Sequence, residues 1–289
     1  AGTIVYAPAS LARPGAPSAG LRVVFLDVGQ GDATLVQTGD GWSMLIDAGG
    51  GQGRSPVNGE RVLVPALWAL GVRRLDLAVI THGDPDHAGA LGAVIRDLTP
   101  REIWEGIPVP GHTLLTELRA QADARGIPWR RVVSGDRRQR GDLDVRVLHP
   151  APADWERVRV RNDDSVVLDV RYGSVSVVLP GDIGVAVEPA IAAALSPAAE
   201  RVVKVPHHGS AGSSGQAFVA ATAPCLAVVS AGRSNPFGHP APAVVDRYRA
   251  ASSRVLTTGH GGAVGLETDG QHVEVWQGRR QHFVPACPP

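Results

Sequence analysis

Thr81-His82-Gly83-Asp84-Pro85-Asp86-His87 follows directly on the apolar run Leu75 to Ile80. The run is short, apolar and closed by Gly and Pro, the pattern of a buried strand. The two His and two Asp therefore fall in a loop at a strand end, and Pro85 keeps that loop from being a helix interior. Imidazole and carboxylate are both ligands of divalent metals. A solvated turn has no need of four such groups so close together, so His82, Asp84, Asp86 and His87 are expected to bind metal.

Outward from this loop, apolar runs and helical patterns alternate in two similar halves. Strands are expected at 21–27, 33–37, 43–47, 76–80, 102–104 and 130–133, then at 143–148, 165–171, 174–180, 201–205, 225–230, 254–256, 262–267 and 272–276. Helices are expected at 60–70, 89–98 and 113–125, and at 184–195, 214–222 and 241–250. Two sets of strands with helices suggest two sheets packed face to face with helices outside. Hairpins such as 165–171 with 174–180, turning at Tyr172-Gly173, suit mixed sheets. No composition break marks a second domain. Residues 1–20 are rich in Ala, Pro and Gly and read as a linker without the pattern of a signal peptide. Residues 278–289 read as a C-terminal tail. Arg137 to Gly141 and Ala151 to Arg161 read as flexible insertions.

Charge and cysteine content narrow the classes. Lys+Arg and Asp+Glu are 28 each, so the net charge is zero. That argues against a broadly basic nucleic-acid coat but allows a local basic groove. No run approaches the ~20 apolar residues of a membrane span. Without Cys-x-x-Cys a thiolate zinc site is excluded. Cys225, opening the run Cys-Leu-Ala-Val-Val, is expected to be a small buried hydrophobe rather than the partner of Cys287.

His82-Gly83-Asp84-Pro85-Asp86-His87 resembles the first metal motif of the metallo-β-lactamase superfamily, with Asp84 where a second His is usual. Leu26-Asp27-Val28-Gly29-Gln30-Gly31-Asp32 and Leu45-Ile46-Asp47-Ala48-Gly49 look like the opening of the nuclease-like domain of the ComEC competence proteins. Leu179-Pro180-Gly181-Asp182, Val205-Pro206-His207-His208-Gly209-Ser210 and Asn235-Pro236-Phe237-Gly238-His239-Pro240 match that domain in the same order. The resemblance covers residues 21–277. It implies an αββα sandwich in one domain, attached to a polytopic membrane protein that imports DNA during natural transformation. The implied location is a soluble domain of a cytoplasmic-membrane protein on the external, periplasmic face.

The resemblance also implies site roles. Asp182 becomes the carboxylate bridging two metals, whereas read alone it is a turn former or helix N-cap. One of His207 and His208 is expected to bind metal and the other to donate to phosphate or orient a ligand, in either order. The superfamily's third ligand falls at His149 or in the cluster Asn162-Asp163-Asp164-Ser165, where the ComEC-like pattern also carries Asn and Ser. An oxygen-rich donor set suits two manganese ions, or magnesium, better than zinc. Two such metals, holding a phosphoryl oxygen between them, suit phosphodiester hydrolysis. Asp86 or Asp182 is expected to orient the attacking hydroxide, and His239 to assist the leaving oxygen.

Substrate contacts are expected from Gln30 and Asp32 at the site edge, from Asn162 and Ser165, and from Arg157, Arg159 and Arg161, which alternate along an extended segment. Trp129 and Trp155 flank the basic stretches as candidates for base stacking. Gly49-Gly50-Gly51-Gln52-Gly53 lacks the Lys-Ser/Thr of a nucleotide site, so no nucleotide cofactor is expected. The expected activity is that of a metal-dependent deoxyribonuclease acting on DNA, single-stranded by preference. Its rivals are hydrolysis of a small phosphoester or lactone on the same fold, and a non-catalytic DNA-binding module.

Overall fold

The computed structural model describes residues 20–49, 59–152, 155–278 and 280–287. The linker reading of residues 1–20, Gly20 apart, and the glycine-rich loop beyond Gly49 lie outside these residues.

The first half builds β1 (Leu21–Phe25), β2 (Thr34–Thr38), β3 (Ser43–Ile46), β4 (Leu77–Ile80), β5 (Ile103–Glu105) and β6 (Trp129–Arg131). Its helices are α1 (Val64–Ala69), α2 (Pro85–Ala88), α3 (Leu91–Leu98) and α4 (Thr113–Asp123). The second half adds β7 (Arg137–Arg140), β8 (Leu143–His149), β9 (Val167–Tyr172), β10 (Val175–Leu179), β11 (Glu200–Lys204), β12 (Leu226–Val229) and β13 (Arg254–Thr257). Its helices are α5 (Glu188–Ala194), α6 (Gln216–Thr222), α7 (Pro242–Ala250) and α8 (Thr258–Gly261). Strands β14 (Val264–Thr268), β15 (Val273–Gln277) and β16 (Arg280–Pro285) close the chain.

One sheet runs β16-β15-β14-β1-β2-β3-β4-β5-β6 and the other β13-β12-β11-β10-β9-β8-β7. Both are mixed. The β1–β2 and β2–β3 pairs are antiparallel and the β3–β4 and β4–β5 pairs parallel. The second sheet repeats the scheme, with β8–β9 and β9–β10 antiparallel and β10–β11 and β11–β12 parallel. The central strands are buried on both faces, so they read as continuous apolar runs.

Alternation along each strand then sorts side chains between layers. Leu21, Val23 and Phe25 face the core between the sheets, where they meet Val145, Leu168, Val177 and Val202 of the other sheet. Val24 and Leu26 face the opposite way, into a core covered by Leu67 of α1, Val94 and Ile95 of α3 and Leu118 of α4. On the far side, Ile191, Val219, Val244 and Tyr248 of α5, α6 and α7 cover the second sheet. The result is the expected αββα sandwich. Truncating one of these fully buried leucines to Ala would cost about 2–5 kcal/mol.

Three expectations are corrected. Arg137 to Gly141 is no flexible insertion: Arg137–Arg140 is an edge strand paired with β8. The segment expected as a tail supplies β16, which pairs antiparallel with β15. Cys225 is bonded to Cys287, with Cα atoms 4.9 Å apart. That disulfide fastens the end of the chain to the start of β12. Residues 155–161, by contrast, form neither strand nor helix.

Candidate metal centre

The carboxyl ends of β3, β4, β10 and β11 meet at one end of the sandwich, and each delivers a polar loop there. Open α/β sheets characteristically place ligand sites at such ends. Asp47 follows β3, Asp182 follows β10 and His207-His208 follow β11. His82 to Asp84 follow β4 and lead into α2, which carries Asp86 and His87 and which Pro85 opens rather than prevents.

Backbone contacts lock these loops together. Asp32 N donates to Asp86 O at 3.0 Å, and Gly49 N to Asp32 O at 2.8 Å. A Cβ at Gly49 would lie 1.7 Å from the Asp86 carbonyl oxygen, so only glycine permits this approach. His207 and His208 both take left-handed backbone angles, φ 51° and 53°. That conformation costs a non-glycine residue about 1–2 kcal/mol. It turns both rings toward the same end of the sandwich.

His87, His208, Asp182 and Asp32 converge, with one ligand atom from each lying within 4.8 Å of the others. His87 Nε2 is 3.2 Å from Asp182 Oδ2, and His208 Nε2 is 3.3 Å from both Asp182 Oδ2 and Asp86 Oδ2. The outer nitrogens are fixed. His87 Nδ1 lies 2.8 Å from Asp47 Oδ2, and His208 Nδ1 donates to the Ser230 carbonyl at 2.8 Å. A proton on each Nδ1 leaves the Nε2 lone pairs facing the centre. Asp47 also accepts from Thr81 N and Oγ1, at 2.7 and 2.8 Å.

Lys204 stands among these carboxylates and is 3% exposed. Its ammonium is paired with Asp32 and lies 3.6 Å from Asp182 Oδ1. Burial opposes its charge, but Asp32 and Asp182 raise its pKa, so it stays charged. Asp32 is thus paired with Lys204 within the group, and Asp86, whose Oδ2 lies 3.3 Å from His208 Nε2, is a further carboxylate at the centre.

The electrostatics show what the centre lacks. Burial works against ionisation of Asp182, yet His208, His87 and Lys204 hold its carboxyl well below the usual range. Burial likewise opposes charge on His208, but Asp182 and Asp32 push it up to about 10. The imidazoles are thus drawn into the role of counter-cations. Nε2 of His82, His87 and His208 and Oδ1 of Asp182 are buried and make no hydrogen bond of regular geometry. Unpaired lone pairs among several carboxylates fit a divalent cation.

Other expected residues sort around this centre. His82 is buried, with its ring centroid 4.1 Å from that of His87, and Asp84 Oδ2 lies 3.4 Å from His82 Nε2. They form a shallower neighbouring position. His207 is partly exposed, and its Nε2 faces Asn162 Nδ2 at 3.2 Å. The His239 ring centroid lies 5.9 Å from that of His207 and 6.4 Å from that of His208. Burial lowers the pKa of both His207 and His239, so both are neutral near pH 7.

His149 turns away, bonding Asp163 O through Nε2 at 2.8 Å, and is no part of the centre. Gln30, Asp32 and Ser165, expected to meet substrate, are all buried, and Asp32 lies among the groups of the centre. Ser165 Oγ accepts from Asp182 N at 3.1 Å and donates to Asn162 O at 2.7 Å. Gln30 Oε1 accepts from Gly232 N at 3.3 Å.

Of the three alternating arginines, Arg159 and Arg161 are exposed. Arg157 is held by Asp164 at 2.6 and 2.8 Å and stacks on Trp155 at 4.1 Å. Trp129 packs against the core beneath Arg119. Lys204 and Asp47 are the supports that sequence reading missed. Lys204 carried a signal, as a charge following Val202-Val203 at the buried end of its strand, which leads straight to His207-His208.

Residues 26–233 match the family described as the metallo-beta-lactamase superfamily. ComE operon protein 3 of Bacillus subtilis (strain 168) is 31% identical over 257 residues, which are 84% of this chain and 32% of that protein. Competence protein ComA of Neisseria gonorrhoeae is 31% identical over 91% of this chain and 34% of its own length. Recombination protein 2 of Haemophilus influenzae is 29% identical over 91% and 31%. The resemblance seen in the motifs therefore extends over most of the chain, which spans about a third of the length of these relatives. Among the described residues no helix is long and apolar enough to cross a membrane.

Proposed function

The chain belongs to the metallo-β-lactamase superfamily, and on that premise we propose that it is a metal-dependent phosphodiester hydrolase that degrades DNA during uptake. The observation that carries the reading is the set of buried Nε2 atoms of His82, His87 and His208, close to carboxylates but without hydrogen bonds of regular geometry, around Asp182. An intact ligand set of this kind argues against a non-catalytic module. The competence proteins among the relatives supply the DNA-uptake setting.

Asp86, His87, Asp182 and His208 would hold the principal cation, and His82 with Asp84 a second, more exposed one. The set mixes carboxylate oxygen with imidazole nitrogen, which suits manganese, with magnesium or zinc as alternatives. A bound divalent cation supplies Lewis acidity toward a phosphoryl oxygen and lowers the pKa of water. The chain's own groups do the rest. Asp86, partly exposed, orients the attacking water by accepting its hydrogen bond. His207 and His239, neutral and on the more open side, offer N–H groups to the phosphoryl and leaving oxygens. Lys204 holds Asp32 and one edge of Asp182, placing a fixed positive charge beside the site.

Whole-protein partners follow the same reading. The substrate is DNA, single-stranded by preference, and the remaining two thirds of a relative-like protein would be the membrane channel. The disulfide between Cys225 and Cys287 suits an oxidising compartment, which supports the external face.

The test is cleavage of end-labelled single- and double-stranded DNA by the purified chain with manganese, magnesium or zinc. Cleavage with manganese or magnesium above that with zinc is expected. No cleavage of either DNA by a folded, metal-loaded chain would refute the reading.

A further inference from the structure

We infer that Phe237 is a stacking platform for a nucleobase of a single-stranded substrate, an inference that rests on the phosphodiesterase reading above. Phe237 is a large hydrophobic side chain left 60% exposed. Its ring lies over His239, with centroids 5.6 Å apart and planes 26° from parallel. His239 in turn lies over His208 at 6.4 Å and 22°. Three nearly parallel rings thus lead from the surface to the metal centre, and the outermost is free to take another.

The loop that carries Phe237 is braced. Asn235 Nδ2 donates to His239 O at 2.6 Å, and His239 N donates back to Asn235 Oδ1 at 2.9 Å. Arg233 Nε donates to Gly259 O at 3.0 Å, and Ala241 N to Gly209 O at 2.8 Å. The ring is therefore held out to solvent by a fixed loop. A single ring beside Asn235 and His239 is too small an apolar patch for a protein or lipid contact. It matches the face of one planar, aromatic group.

Every base presents such a face, so the platform tolerates sequence. A base within a duplex has both faces covered by its neighbours, so the platform takes only unstacked bases. Single-strand preference thus arises at Phe237, next to the reacting centre, and not at Trp129, which is partly buried against the core beneath Arg119.

The experiment compares half-saturation of the manganese-loaded chain for a short single-stranded DNA and for an abasic strand of the same length. Wild type is expected to favour the base-bearing strand by roughly 5- to 150-fold, the range that one stacked base provides. Phe237→Ala is expected to remove that preference and Phe237→Trp to keep it. An unchanged preference in Phe237→Ala overturns the platform while leaving the hydrolase reading intact. If wild type cleaves neither strand, the hydrolase reading falls by itself. Anisotropy binding of the same two strands to the three proteins then decides the platform by the same comparison.

Discussion

His87 is held at Nδ1 by Asp47, which leaves its Nε2 facing Asp182 at 3.2 Å. Asp47→Asn would turn an amide N–H or a weaker acceptor toward Nδ1 and release the tautomer that exposes Nε2. Metal affinity is expected to fall about 10- to 100-fold, measured by titration of the stripped protein, since such supports carry that much. Lys204 is a different case. Lys204→Met leaves Asp32 and Asp182 without their buried counter-charge, which costs about 3–5 kcal/mol. Urea unfolding of the metal-free protein measures it, and a loss below 1 kcal/mol would show the pairing to be incidental. Stability of the stripped protein also follows pH. The folded value of His208, about 10, lies above its unfolded value, so its contribution is complete at low pH and lost as pH rises toward 10. For Asp86, burial opposes ionisation but the His208 imidazole beside it outweighs that and holds the carboxyl at about 2, so its contribution is lost only as pH falls toward 2. Thermal unfolding in chelator is therefore expected to give the highest midpoint between about pH 4 and 6.5. A midpoint rising from pH 6.5 to 9 contradicts this. Bound metal should reverse the alkaline limb, because ligation requires neutral imidazole.

At the level of elements, strands buried on both faces were legible because their apolar runs are continuous, as in Val175–Leu179 and Leu226–Val229. Arg137–Arg140 was not, since an edge strand made of charges has no apolar period to read. Its arginines are committed to neighbours: Arg137 to Asp144, Arg138 to Glu102 and Arg140 to Asp40. Polar loops are legible only as lists of ligand types. The first motif pointed to His82, Asp86 and His87, but which of His207 and His208 faces inward depends on two left-handed residues that sequence does not reveal. The disulfide was missed for a similar reason, because pairing across 62 residues depends on the register that brings β16 to its place. In the chain-entropy account a loop of that length contributes about 4 kcal/mol. Cys287→Ser is expected to lower unfolding stability by about 2–4 kcal/mol. Metal content should stay unchanged, because Cys225 precedes β12 whereas Ser230, at its other end, holds His208.

For the whole molecule, zero net charge means that DNA affinity must come from the metal centre and a few local groups. Binding is expected to be weak and salt-dependent, each single-strand phosphate contact adding about 0.7 to the slope. Arg157 is neutralised by Asp164, so replacing Arg157, Arg159 and Arg161 together should lower the slope by no more than about 1.4, the share of the two exposed arginines. A larger drop would mean that Arg157 leaves Asp164 for DNA. The most direct measurement titrates manganese into metal-stripped protein and follows cleavage of single-stranded DNA and bound metal in the same samples. Cleavage should rise in proportion to occupancy of the site formed by Asp86, His87, Asp182 and His208. A folded Asp182→Asn protein should neither hold manganese at that site nor cleave. Cleavage that persists in Asp182→Asn, or a fully occupied wild-type site that leaves DNA intact, would contradict the assignment.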